Sequence, residues 1–253
     1  MKTRYSLRSP MLATLIATLA LAGGLGRSAR ADFLINNGGF EAGFASWSRS
    51  DQIGSEGTFV IQTGTKSPLN LDPVPAPPGG TNAAMTDAFG PGSHVLYQDF
   101  LVPTYTITAA ILKFDLFIGN RATAFATPAS GTLDFATTAL NQQARVDVLN
   151  SGTDPFSVAA ADVLQNVYQT KTTDALVSGY NTTTVDLTAL LNANRGKVLR
   201  LRFAEADNIF SFQLGVDNVS LSAVPEPSSL ASLTIGVALT AWGFTRARQP
   251  RTA

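Results

Sequence analysis

His94 is the only histidine in the chain, and there is no cysteine. Those two facts limit the available chemistry. Disulfides, thiol catalysis and cysteine-based zinc or iron–sulfur sites are excluded. A histidine-based zinc site needs more imidazoles than this chain has. A Ser-His-Asp relay would have to run through His94, but Ser93 beside it sits in no G-x-S-x-G turn. The run Gly90-Pro91-Gly92-Ser93-His94 predicts a solvated loop histidine. Glycoside hydrolysis needs two positioned carboxylates. The glutamates outside the chain ends are Glu41, Glu56 and Glu205, and nothing in the sequence singles out a pair. Glu205-Ala206-Asp207 follows a predicted strand. Its carboxylates could reach a loop site, but a solvated or cation-binding turn is the simpler expectation. No P-loop, G-x-G-x-x-G or H-E-x-x-H motif occurs. The sequence therefore predicts a protein that is not an enzyme.

Sugar recognition uses aromatic rings and amide, carboxylate or hydroxyl partners. Trp47 is the one tryptophan of residues 32–222 and is expected in the core. Tyr97, Tyr105, Tyr168 and Tyr180 are the other aromatic candidates, and the sequence does not choose among them.

These residues need elements to hold them, and the patterns are those of strands. Leu112, Phe114, Leu116 and Ile118 alternate along one run, and Leu199, Leu201 and Phe203 oppose Arg200 and Arg202 along another. Residues 144–149, 210–214 and 216–221 add further period-two runs. Such strands suit sheets with one packed and one wet face. A short helix is expected at 186–193, capped by Asp186 or Thr188, with Gly196 beyond its end. Residues 158–168 fit helix or strand. Proline and glycine place long loops at 64–92 and 121–132. Strand runs divided by loops define an all-β sandwich.

Both ends of the chain read as transport signals. Lys2, Arg4 and Arg8 precede the apolar stretch 11–25, and Ala29-Arg30-Ala31 forms an A-x-A site. Fifteen apolar residues rise about 22 Å as a helix, short of the hydrocarbon thickness. Residues 1–31 are thus expected to be a signal peptide. At the other end come Pro225-Glu226-Pro227, an apolar run within 229–245 predicted as a transmembrane helix, and Arg246, Arg248 and Arg251. The basic cluster would hold that end in the cytoplasm. Between them, residues 32–222 form one domain. There, ten Lys/Arg face seventeen Asp/Glu, a net charge near −7 hidden by the balanced total of 18 and 18. An acidic domain argues against nucleic acid, whose binding rests on cation–phosphate contacts.

The order of parts in residues 223–253 resembles the PEP-CTERM sorting signal of Gram-negative bacteria. The resemblance implies that an exosortase recognises Pro225, Glu226 and Pro227, removes the tail and passes the protein to the surface or extracellular matrix. It also implies company with exopolysaccharide and biofilm. Asn36-Asn37-Gly38-Gly39-Phe40-Glu41, Leu96-Tyr97-Gln98-Asp99-Phe100 and Gly215-Val216-Asp217-Asn218-Val219 together resemble the jelly-roll, galactose-binding-like domains of carbohydrate-binding modules. That likeness implies a structural calcium ion, Ca2+, held by Glu41 and Asp217 with backbone carbonyls. The alternative is that these two carboxylates cap turns at the sheet edge. The expected function is a non-catalytic surface or matrix protein that binds glycan. A structural or adhesive protein without glycan binding, and a carbohydrate-active enzyme, are the alternatives.

Overall fold

The computed structural model describes residues 30–226. The expected signal peptide up to residue 29, and the tail from Pro227 onward, lie outside the described residues. Among the described residues no helix is long and apolar enough to cross a membrane. Residues Asp32–Ala223 pack as one unit.

Eleven strands and one short helix make up the domain. In chain order they are β1 (Asp32–Phe33), β2 (Ser48–Asp51), β3 (Thr58–Thr63), β4 (Asn82–Asp87), β5 (Gly92–Leu101), β6 (Ile107–Asn120), β7 (Gln142–Asn150), β8 (Val163–Gln169), β9 (Asn181–Asp186), α1 (Thr188–Ala193), β10 (Val198–Asp207) and β11 (Phe212–Pro225). One sheet runs β3-β4-β11-β6-β9, with β1 also paired to β11, and the other runs β2-β5-β10-β7-β8. Only the β3–β4 and β7–β8 hairpins stay within a sheet. Every other connection from β2 onward crosses between sheets, which is the winding of a jelly roll.

Alternation explains the core. Leu112, Phe114, Leu116 and Ile118 of β6 meet Leu199, Leu201 and Phe203 of β10 in one apolar cluster. Phe114 and Phe203 touch edge to face, with centroids 5.4 Å apart. Trp47 belongs to this cluster, as expected. The short helix forms within the expected 186–193, but Leu187 rather than Asp186 or Thr188 stands at its N-cap, and Asp186 just before it accepts the Thr188 N–H.

Three expectations need correction, and one open alternative is resolved. The predicted loop 64–92 contains β4, whose small residues Ala83 and Ala84 fill the tight space beside β11. The segment 158–168, which fitted helix or strand, is strand from Val163 onward, because β7 offers it a free edge. Phe210 lies outside β11 and is exposed. The outer face of the second sheet is not wet. Arg202, opposite the core residues of β10, is fully buried and donates from Nη1 to the carbonyls of Pro155 and Ser157. Beside it, Val95, Leu133, Ala204 and Ala206 form a second apolar cluster. A second layer of loop covers the arginines, which alternation alone does not reveal.

Candidate functional site

Glu41 and Asp217 converge on one loop. The Glu41 carboxylate accepts the backbone N–H of Thr81 and Asn82 at 2.8 and 2.9 Å and the Thr81 hydroxyl at 2.8 Å. Asp217 accepts the N–H of Gly79 at 3.0 Å and of Asn218 at 2.7 Å. The loop can come this close only because of glycine: a Cβ on Gly80, whose φ is +59°, would lie 2.3 Å from Glu41 Oε1. Gly38 is equally constrained, since a Cβ there would lie 1.8 Å from the Val219 carbonyl oxygen. The opening loop is thus clamped to the last strand, as the sequence motifs require.

The N–H groups of Asn82 and Thr81 hold Glu41 below the usual carboxylate range. Burial pushes Asp217 up to about 6; its N–H donors oppose the shift, while Asp115 and Glu41 add to it. Asp115 itself is tied to the Asn218 amide at 2.8 Å and the Thr182 hydroxyl. The two carboxylates therefore do cap this loop, which was the alternative expectation. Glu41 Oε1 is taken up by two N–H groups, but Glu41 Oε2 and both Asp217 oxygens accept one hydrogen bond each and keep a second lone pair. That donor set fits a hard cation with oxygen ligands. Among the described residues no group of three or more His, Asp or Glu side chains is arranged as a metal site, so backbone carbonyls would have to complete the shell.

The Glu205 and His94 expectations are overturned. His94 is buried, because β5 runs through it and points it between the sheets opposite Glu205. Its Nδ1 lies 2.7 Å from Asp51 and its Nε2 lies 2.9 Å from the Glu56 carbonyl. Glu205 and Asp207 end β10 rather than occupying a turn, and both are buried, at 1% and 3% exposure. Burial, then Asp207 and Asp51, pushes Glu205 well above the usual range. Its Oε2 has no hydrogen-bond partner. Burial also pushes Asp207 up to about 7, against the Gly92 N–H it accepts at 2.7 Å. A pair of carboxylates sealed in this way has no route to substrate.

Two crevices open where the sheet edges diverge. One, between β2 and β3, is lined by Phe44, Trp47, Arg49, Asp51, Gly57 and Thr58. Its groups are engaged. Trp47 is 7% exposed and donates from Nε1 to the Asn37 carbonyl. Arg49 stacks 4.3 Å over Phe44 and donates to the Phe59 carbonyl at 2.7 Å.

The other crevice, between β8 and β9, has a volume of about 310 Å³. Leu116, Ile118 and Phe125 are buried and make its floor. Tyr168, Asp174, Asn181 and Thr183 stand on its walls. Pairing of Leu116 with Asn181 and Phe114 with Thr183 points alternate β9 residues toward the opening. Burial, then the charge of Asp174, pushes the Tyr168 hydroxyl up to about 12, so it is a neutral donor and acceptor. Among the described residues no hydrogen bond reaches the side chains of Tyr168, Asn181 or Thr183, while Asp174 accepts the Lys171 N–H at 2.9 Å. An apolar floor beneath the Tyr168 hydroxyl, the Asn181 amide and the Thr183 hydroxyl suits a ligand that is apolar on one face and hydroxylated at its rim. Sequence reasoning named Tyr168 but missed Asn181 and Thr183. The alternation in Asn181-Thr182-Thr183-Thr184-Val185 was the available signal.

The fold and this cleft define an all-β sandwich of jelly-roll winding with a small polar-walled edge site. No protein-family model matches the sequence, and no curated protein matches it. Among solved structures, the chain is similar to TmCBM61 in complex with β-1,4-galactotriose (12% identity, 75% of this chain and 97% of that chain, TM-score 0.42). It is similar to the K3 cleaved adhesin domain of Lys-gingipain from Porphyromonas gingivalis (16% identity, 76% and 99%, TM-score 0.46). It is also similar to a cyclase from Fischerella sp. (20% identity, 77% and 97%, TM-score 0.44). Of the expected sorting motif, Pro225 ends β11, Glu226 follows it exposed, and Pro227 lies outside the described residues.

Proposed function

We propose that this chain is an exported, non-catalytic protein whose sandwich domain binds extracellular polysaccharide in the β8–β9 cleft. The observation that carries this is the cleft itself: uncommitted Tyr168, Asn181 and Thr183 side chains above an apolar floor. Sugars present that same combination of an apolar ring face and edge hydroxyls. The sealed state of Glu205 and Asp207 supports binding over turnover. In this proposal residues 1–31 direct export, and Pro225-Glu226-Pro227 mark the tail for an exosortase. The mature domain then joins the exopolysaccharide or biofilm matrix. A calcium ion held by Glu41 and Asp217 would tie the opening loop to the last strand and stabilise the domain by linkage.

Glycan arrays of bacterial exopolysaccharides, followed by titration calorimetry on the hits, test the binding. Asn181→Ala and Thr183→Val should each weaken binding several-fold, and Arg49→Ala at the other crevice should leave it unchanged. Binding to no glycan, or loss on Arg49→Ala alone, overturns the proposal and favours a purely structural or adhesive role. Replacing Pro225-Glu226-Pro227 by alanines should leave an unprocessed precursor, and normal maturation would refute the sorting assignment.

A further inference from the structure

One end of the sandwich carries an apolar surface that the glycan cleft does not use. Phe33, Leu101 and Val198 are 72%, 62% and 44% exposed. Leu101 and Val198 are direct cross-strand partners. Phe33 and Leu101, with Leu34, Val102, Pro103 and Tyr105, line one shallow groove. The acid in that groove, Asp32, accepts the Tyr105 hydroxyl at 2.6 Å. Burial, then Asp32, pushes this tyrosine up to about 12, so the hydroxyl stays a donor across the physiological range.

Cations border the groove. Gly196 donates its N–H to the Val102 carbonyl, and Val102 donates to the Lys197 carbonyl, which fixes 195–197 alongside Leu101. Arg195 and Lys197 are both exposed there. They are two of only ten cations in an acidic domain. Exposed apolar side chains beside basic ones are the chemistry of binding to an anionic bilayer surface.

The chain ends single out the occupant. Asp32 pairs with Ala223, so the polypeptide enters and leaves the domain side by side at this groove. Six residues separate Ala223 from the apolar run that starts at Leu230, a reach of at most about 25 Å.

We propose that this end of the domain docks on the anionic outer surface of the membrane that holds the unprocessed tail. Phe33, Leu101 and Val198 enter the headgroup boundary, with Arg195 and Lys197 facing lipid phosphate. Docking holds the Pro225-Glu226-Pro227 segment at the membrane surface, where a membrane-embedded processing enzyme would act. This rests on reading residues 223–253 as a membrane-directed tail.

The absence of cysteine makes the test direct. The full-length chain carrying Leu101→Cys, labelled with an environment-sensitive fluorophore, is reconstituted into phosphatidylethanolamine–phosphatidylglycerol vesicles. Phe89→Cys is the control, being 78% exposed beside the opposite end of β5. The Leu101 label should shift to the blue and lose emission to doxyl lipids, and the Phe89 label should do neither. Arg195→Glu and Lys197→Glu should each lower the docked-to-undocked ratio about five-fold. Carbonate extraction reports separately on the tail. A carbonate-resistant chain whose Leu101 label ignores doxyl lipid overturns the docking and leaves the tail reading intact. A blue shift without lipid quenching means that a second copy covers the face, and also overturns it. A chain released by carbonate refutes the tail reading, and the docking falls with it.

Discussion

The two crevices at the sandwich edges have similar raw materials and opposite fates. The β2–β3 opening has more aromatic surface, with Phe44 and Trp47, and a full ion pair's worth of charge in Arg49 and Asp51. Yet Trp47 packs against Phe40 and Phe203, Arg49 is bonded to the Phe59 carbonyl, and Asp51 is locked to His94. The β8–β9 opening has one half-buried tyrosine and short polar side chains; Asp174 and Ser178 are bonded to nearby backbone, while Tyr168, Asn181 and Thr183 face the opening. The difference teaches that a binding site is marked by polar groups still lacking partners. The amount of aromatic surface is a poorer guide.

The largest effect should come from the engaged edge. Trp47→Ala should cost about 3–5 kcal/mol of stability, measured by urea denaturation, because it empties a core position and removes one of the two donors to the Asn37 carbonyl. A cost under about 1 kcal/mol would mean that this edge is not structural, and the contrast would collapse. Calcium sharpens the same side, since Glu41 opens the turn that leads to Trp47. Chelation should remove about 2–3 kcal/mol from a protein kept near a hundred-fold above its dissociation constant. Glu41→Gln or Asp217→Asn should abolish the response in thermal melts. Identical melting curves with and without chelator would leave the two carboxylates as caps alone.

At the open edge, Tyr168→Ala should weaken glycan binding at least about ten-fold, near 1.4 kcal/mol, while the protein still melts cooperatively. Unchanged affinity would move the site elsewhere. The smallest effect concerns pH. Asp207 is pushed from 3.8 to about 7 in the folded state, and Glu205 is raised with it. The folded protein therefore holds protons that the unfolded chain has released. The stability this provides is complete below about pH 4 and is lost as pH rises through 7. The groups facing Glu205 are His94, Asp51, Asp207 and Thr86. The melting temperature should fall from pH 5 to pH 8 by about 2–4 °C per kcal/mol lost. Asp207→Asn should flatten that slope, because its side-chain oxygen can still accept from Gly92. A melting temperature that rises across this range would exclude the neutral buried acids.

The comparison also shows what the sequence discloses. Alternation placed Leu112–Ile118 and Leu199–Phe203 correctly, since every second residue meets the opposing sheet. The bracketing motifs placed Glu41 and Asp217 at one loop, because the glycines around them permit only close approach. Tertiary covering was not legible. Arg202 and Asp147 read as a solvent-facing pattern, yet a loop seals them. Burial pushes Asp147 up, and its bonds with Arg145 and the charge of Arg202 bring it below the usual range. Glu205 reads as the turn after a strand, yet it sits inside, without such cations. The cleft escaped notice because its walls, Tyr168 and Asn181, belong to different sheets and meet only when the sandwich closes.

β11 lies between β4 and β6 in the middle of its sheet, yet it is the last strand to be synthesised. Neither β4 nor β6 can complete its pairing until residues 212–225 arrive. The sheet of β3, β4, β6 and β9 therefore cannot close until the end of the domain is made. For a chain exported unfolded, as proposed above, this strand order would postpone closure of the sheet until the end of the domain arrives. A fragment ending before Phe212 should accordingly show no cooperative melting.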